Sequence, residues 1–277
     1  MSVESTAFYV SAHLVVGVLY GALAWAMWRS LQKGGRGNAR WFLPVLAAAH
    51  AALLASAVID AGGMRFGFAH ALSATLLFTV LVVWAEGFLV PIRGLLVMVL
   101  PLAALAAMLP AAFHGSQIAA ASETLAFRAH IVIAISAFSL LTIAAMHALL
   151  MVSMDRSLHS AGSSTTPLGR VLAEVPPLLA MERLLFRLIW TGFILLTLTL
   201  ISGVMFSEQL FGRALRFDHK TVFTIASWVV FAGLLVGRHY FGWRGRTALR
   251  WTLVGFFMLL LAYVGSRFVI EVILHRA

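Results

Sequence analysis

Ten histidines stand in a chain of 277 residues that contains no cysteine. Imidazole is the side chain most often used to bind transition metals, and its charge changes near neutral pH. Without a thiol the chain has no disulfide, no thiolate metal site and no thiol redox chemistry of its own. Any metal or cofactor must therefore be held by histidine, carboxylate or methionine. Carboxylates are few, ten Asp and Glu in all. There is no P-loop, no G-x-S-x-G and no H-E-x-x-H, so nothing points to a hydrolase, kinase or protease. An enzyme is not expected; ligation by histidine is the chemistry on offer.

The elements that position these histidines are dictated by composition. The chain is 62% hydrophobic and 11% charged, with a mean hydropathy of +0.97. Soluble domains carry roughly 25% charged residues, enough to solvate a surface. Here the apolar residues fall in long uncharged runs, of the length needed to cross ~30 Å of hydrocarbon. Eight are predicted, at about 7–28, 41–59, 68–84, 95–109, 129–151, 188–206, 221–237 and 251–274. The fourth is short and holds Pro101, which removes a backbone donor and predicts a kink. A closed strand barrel would alternate in polarity, and no such alternation is present. The fold class is all-α, a polytopic membrane protein of about eight transmembrane helices.

A net charge of +10 would suit nucleic acid, but the positions of the charges give a different reason for it. With the N-terminus outside, 13 of the 20 basic residues fall in inner loops, among them Arg29, Lys33, Arg93, Arg183 and Arg238. The positive-inside rule then places both termini outside, and no nucleic-acid partner is expected. The first basic residue, Arg29, follows the first apolar run, opposite to a secretory signal, so that span is expected to stay in the mature protein.

The chain reads as a single membrane domain over 1–277. Five spans occupy 7–151, a linker and interfacial helix 152–187, and three spans 188–274. Residues 159–169 (HSAGSSTTPLG) are small and polar and read as a flexible linker; Pro176 and Pro177 stop any preceding helix. No internal repeat or inverted symmetry of the kind common in secondary transporters is visible. In the fifth span Ala134, Ala137, Leu141, Ala144 and Ala148 follow 3–4 spacing, a seam for close helix approach.

The histidines sit at uneven depths. His130 opens the fifth span, His219 the seventh, and His275 ends the eighth, all near the outer face. His50 falls mid-span, where an ionisable group is costly without a partner, and His239 lies toward the inside beside Arg238. Imidazole is also a common axial ligand of haem iron, and two facing imidazoles can clamp one porphyrin. Each has a plainer alternative: a hydrogen-bonded structural histidine for His130 and His50, a solvated end for His275, a headgroup anchor for His239. His13, His70, His114, His147 and His159 have the weaker cases. Arg267 and Glu271, at i,i+4 in the last span, read as an ion pair.

Several segments carry a family resemblance. The frame of residues 211–223, with Phe211, Gly212, Leu215, Phe217, Asp218, Lys220 and Phe223, resembles the haem-binding loop W-G-x-x-W-x-W-D-x-K-E-x-W of the cytochrome c assembly (CcsA-type) family. Residues 182–203 are similar to its Y-R-x-x-x-x-G-F-x-x-L-T-x-x-x-x-S-G run, through Phe186, Arg187, Gly192, Phe193, Leu196, Thr197, Ser202 and Gly203. The short YpjD-like inner-membrane branch shares P-P-L-x-x-x-E-R (Pro176, Pro177, Leu178, Glu182, Arg183), G-W-R-G (residues 242–245) and A-Y-x-G-S-R (residues 262–267).

The resemblance implies a bacterial inner-membrane protein that binds or handles haem, haem b, in cytochrome c-type biogenesis. It places His130 and His275 as the outer axial ligands of the iron. His50 matches a mid-membrane histidine of the branch, and with His239 would mark an inner or transit site. His219, Asp218 and Phe217 belong to the loop, where Arg213, Arg216 and Lys220 can reach haem propionates. Expected partners are haem and membrane proteins of cytochrome assembly or of haem and metal homeostasis. The alternative is a regulatory or scaffold protein, controlling haem synthesis as HemX-like relatives do, or serving a metal-ion transporter. Every tryptophan of the loop is replaced, and Thr221 stands for its acidic residue. Leu215 and Phe217 offer apolar area but no indole donor, so delivery of haem to an apocytochrome in the family's usual way is not expected.

The charge asymmetry makes a topological prediction. Reporter fusions near Gly35, Gly162 and Gly245 should read cytoplasmic, and fusions near Gly115 and at the C-terminus should read external. A cytoplasmic C-terminus would put His275 on the wrong face for a shared iron.

Overall fold

The computed structural model describes residues 3–33, 41–60, 63–88, 93–113, 116–118, 124–159, 178–211 and 219–265. Eight α-helices make up nearly all of it: α1 (Val3–Gln32), α2 (Leu43–Val58), α3 (Phe68–Glu86), α4 (Arg93–Ala112), α5 (Leu125–His159), α6 (Leu178–Phe211), α7 (His219–Phe241) and α8 (Gly245–Leu260), the last running into a π-turn at Leu261–Gly265. Seven are long and apolar enough to cross a membrane. The exception, α2, has 16 residues. At 1.5 Å per residue that is about 24 Å, short of the hydrocarbon thickness. Three short strands were not foreseen: β1 (Ile59–Asp60), β2 (Gly63–Phe66) and β3 (Ser116–Ile118) form one sheet in that order, β1 and β2 antiparallel. Runs of two to four residues are too short for a two-residue period to register.

Polarity is arranged inside out relative to a soluble protein. On α1 the buried positions include His13 and Tyr20, while Leu14, Val15, Val18 and Leu19 are exposed. On α6 the exposed stripe is Trp190, Ile194, Leu198, Ile201 and Met205, at the spacing of a single helix face. Such a surface is stable only against lipid, because water would charge for each of those side chains. Serine and threonine hydroxyls along the spans turn back to carbonyls of the preceding turn, as Thr142 does to Phe138 and Thr252 to Ala248, so their donors stay satisfied in hydrocarbon.

The chain divides into two compact units, Met1–Gln117 with Ser153–Pro177, and Ile118–Val152 with Leu178–Ala277. In the first, α1 packs along α4, α4 on α3, α3 on α2, and α2 back on α1, which closes a four-helix ring. Gly17 permits the α1–α4 approach: a Cβ there would come within 2.9 Å of the Ala104 carbonyl oxygen. α4 keeps both Pro101 and Pro110 inside its helical span.

In the second unit α7 packs on α8 and α6 on α7. The expected seam on α5 is buried at Ala137, Leu141, Ala144 and Ala148, and Gly192 of α6 faces Leu141. The interfacial segment 178–187 is the first part of α6, continuous with its span. The α7–α8 corner explains two of the sequence motifs. Gly242 and Gly245 have φ of +66° and +55°, the left-handed region that favours glycine. Between them Trp243 lies over Gly237, its N–H donating to the Gly237 carbonyl at 3.2 Å. Arg238 donates to Glu182 Oε1 at 2.7 Å and to the Trp243 carbonyl at 3.2 Å, with its guanidinium 4.5 Å from the centre of the Phe186 ring. The E-R and G-W-R-G motifs thus form one clasp joining α6, α7 and α8.

Gly237 is the tightest point of that clasp, since a Cβ there would run into the Trp243 ring. Gly237→Val should cost about 1–3 kcal/mol, the usual penalty of overpacking. A thermal melt in detergent should show the loss, and an unchanged midpoint would mean that the indole has somewhere else to go.

Candidate functional site

Each unit contains its own histidine environment. In the first, α1, α2 and α3 bring His13, His50 and His70 into the interior, each at most 1% exposed. His13 Nδ1–H donates to the Ala107 carbonyl at 2.8 Å, which fixes its tautomer because a carbonyl can only accept. Its ring meets Tyr9 edge-on at 4.6 Å between centres, and the Tyr9 hydroxyl lies 3.4 Å from His70 Nε2 and 3.3 Å from the Pro110 carbonyl. His50 Nε2 is 2.9 Å from Ser73 Oγ, and Tyr20 stands edge-on to the imidazole at 5.6 Å. His50 Nδ1 and the Tyr20 hydroxyl find no hydrogen-bond partner among the described residues.

The second unit holds a half-buried histidine. His130 lies in the second turn of α5, with its Nδ1 2.7 Å from Ser202 Oγ on α6. Phe127, three residues earlier, stacks near the ring at 6.5 Å. Lys220 of α7 is close enough for its charge to act on the imidazole, and its ammonium sits 5.9 Å from the centre of the Tyr263 ring. Tyr263 in turn packs on Phe138, which also meets Phe256. Lys220 thus stands between the imidazole and the Tyr263 ring. Deeper in α5, His147 is fully buried; its Nδ1–H donates to the Ile143 carbonyl at 3.1 Å, and its Nε2 has no partner among the described residues.

Of the residues singled out by sequence, His130 and His50 are placed in defined hydrogen-bonded settings. His219 opens α7 and is exposed. His239 is exposed in the last turn of α7, edge-on to Tyr240 at 4.9 Å. His275, Asp218, Phe217, Arg213, Arg216, His114, Arg267, Glu271 and the Pro176–Pro177 stop lie outside the described residues, as does most of the linker. Sequence reasoning did not single out Tyr9, Tyr20 or Ser73 as partners of the buried histidines, nor the contact of Ser202 with His130. A signal existed for part of this: Tyr9, His13 and Tyr20 share one face of α1, and His70 and Ser73 one face of α3.

The family model for cytochrome c assembly proteins matches residues 40–274. The chain belongs to the cytochrome c assembly protein family. It is 35% identical over 144 residues to the inner membrane protein YpjD of Escherichia coli K12, covering 52% of each chain. A similar match, 37% over 145 residues and 52% of each chain, is to an uncharacterized 28.8 kDa protein of Azospirillum brasilense. The cytochrome c biogenesis protein CcsA of Prochlorococcus marinus MIT 9515 is 35% identical over 88 residues, 32% of this chain and 28% of that one. The chain thus spans about half the length of the YpjD relatives it matches, and less of CcsA. With its apolar helices, these relatives make it a multi-pass protein of the inner membrane.

The family is linked to haem, so the two histidine environments can be tested for fit. A porphyrin is a flat apolar disc with an iron centre and two carboxylates. The His130 end of the second unit offers part of the matching set: a nitrogen ligand, the Tyr263 ring, and the Lys220 ammonium for a carboxylate. His50 does not offer it in this arrangement. It is completely enclosed, and its Nε2 faces Ser73.

The Ser73 contact gives a direct check on that distinction. Ser73→Ala leaves His50 without either ring-nitrogen partner and should lower stability by about 1–3 kcal/mol. Ser73→Thr, which keeps a hydroxyl, should stay near wild type; equal melting of all three proteins would show that the hydrogen bond contributes nothing.

Proposed function

We propose that this chain is a haem-handling protein of cytochrome c-type biogenesis, holding haem b through His130 on the outer face of the inner membrane and doing no catalysis of its own. The observation that carries the reading is the half-buried His130 near the start of α5, close to Lys220, whose ammonium in turn lies over the Tyr263 ring. Names of relatives support it from a second direction, since CcsA proteins are cytochrome c biogenesis proteins.

In this reading the chain's own residues bind, orient and shield. His130 supplies the iron ligand from α5, and His275, at the end of the last predicted span, the second. Lys220 would hold a propionate by a charge-assisted hydrogen bond, and Tyr263 would supply apolar surface beside it. Haem, when bound, supplies a redox-active iron whose potential is set by those axial ligands. His50 would have to turn its ring and give up Ser73 to meet a macrocycle, so the first unit serves as scaffold and His130 carries the ligation. Partners would be membrane proteins of the same assembly process.

Protein purified in mild detergent, before any haem is added, should show a low-spin bis-histidine spectrum. His130→Ala should abolish it and His275→Ala should weaken it. A clean protein with no Soret band, even after haem titration, would instead favour the regulatory or scaffold role.

A further inference from the structure

We propose that the start of α6 holds an anionic phospholipid, with the headgroup on Arg183 and Arg187 and an acyl chain along the helix beyond them. One exposed face carries the proposal. Arg183, Arg187, Trp190, Ile194 and Leu198 follow one another at intervals of four, three, four and four residues, so they lie in one line on α6. All five are exposed. From the start of the helix inward, the order is two guanidiniums, an indole and then aliphatic side chains. A phospholipid leaflet has the same order: a charged headgroup layer, an interface where tryptophan is favoured, and hydrocarbon.

Charge decides which lipid. Residues 178–190 and 234–250, which the clasp brings together, hold six arginines and one carboxylate, Glu182. Glu182 is buried, and it accepts from Arg238 at 2.7 Å with Arg244 4.0 Å away. Arg183, next to it in the chain but exposed, has no ion-pair partner among the described residues. A phosphodiester supplies the missing negative charge, and a guanidinium is well shaped to take it. In a zwitterionic headgroup an amine offsets that charge. In phosphatidylglycerol nothing offsets it, so the anionic lipid is preferred.

α8 repeats the order from the same end, with Arg246, Arg250, Val254 and Phe257 exposed at intervals of four, four and three residues. The starts of α6 and α8 are joined through Glu182 and Arg244, so this end of the unit is cationic on both helices. α1 differs. Its exposed Trp25 also stands one turn from an arginine, but the Arg29 guanidinium lies over that ring, 4.9 Å from its centre, and α1 contains no second arginine. Trp25 therefore serves as the internal comparison for Trp190.

The test uses the full chain in phosphatidylcholine vesicles that contain an equal minor fraction of either phosphatidylglycerol or phosphatidylcholine with brominated acyl chains, which quench nearby indoles. The difference between wild type and Trp190→Phe gives the quenching at Trp190, and Trp25→Phe gives that at Trp25. Enrichment of phosphatidylglycerol over phosphatidylcholine at Trp190 should be roughly fivefold, the effect of one basic residue at an anionic surface. At Trp25 it should be small. Arg183→Gln alone should reduce the preference at Trp190, and Arg183→Gln with Arg187→Gln should remove it. Arg183→Lys with Arg187→Lys keeps both charges and should retain it, with thermal melts showing that each variant folds. Potassium phosphate should weaken the preference no more than potassium chloride of equal ionic strength, because a free anion has no chain to lie along Ile194 and Leu198. Equal preference at Trp25 and Trp190, or a preference that survives the double glutamine variant, overturns the proposal. A specific loss in phosphate overturns it too, since the arginines would then serve a free anion.

Discussion

The structure depends on one constraint: in hydrocarbon, a polar group that finds no partner inside the protein finds none at all. An unsatisfied group costs several kcal/mol there, so backbone becomes helix and polar side chains turn inward. α1 shows the outcome within six residues, with His13 donating to the Ala107 carbonyl and Leu14, Val15 and Val18 facing out. The same constraint makes every buried polar contact specific. Tyr9 spans His70 and Pro110, Ser227 reaches the Gly255 carbonyl across α7 and α8, and Trp228 gives its indole N–H to Thr197. None of these has water as a substitute, so each fixes the rotation of its helix.

That constraint also separates the histidines by function. A histidine sealed in the interior, such as His50 or His147, contributes to packing and hydrogen bonding, and its remaining nitrogen is reached by nothing large. A half-buried histidine can be held on one side and used on the other. His130 is of this kind, with Ser202 on one nitrogen and the aromatic group of Tyr263 and Phe138 in the same unit. Depth alone, which singles out His50, identifies the costlier residue but not the more accessible one.

How much of this was legible in the sequence follows from the range of each interaction. Span positions are local sums of hydropathy, and each of the eight predicted runs overlaps a helix among the described residues, seven of them long enough to cross. The fifth was read too short, because hydropathy stops at the first charges while a helix continues into water: α5 passes Asp155 to end at His159. α6 begins at Leu178, where the interfacial segment was expected to start. The clasp was visible as two motifs without a cause: Gly242 and Gly245 were matched as letters, and only their positive φ angles explain why glycine is needed. The His130–Ser202 pair joins positions 72 residues apart. Nothing local in either segment announces it. The contacts of His13 and His70 with Tyr9 were illegible for a related reason, since they join separate helices.

The altered loop and the retained histidine are compatible once ligation and surface are treated as separate tasks. Tryptophans in the family's loop offer flat area and indole donors together. In this chain the two tasks fall to different elements. In the proposed reading area would come from Tyr263 on the π-turn, and a cationic donor from Lys220 at the start of α7. Iron affinity would depend on neither, but on His130. Loss of the tryptophans would then remove a surface suited to presenting haem to another protein, while leaving the iron ligand in place. A protein built this way would retain haem more readily than it passes haem on, which fits a carrier or store better than a terminal delivery step.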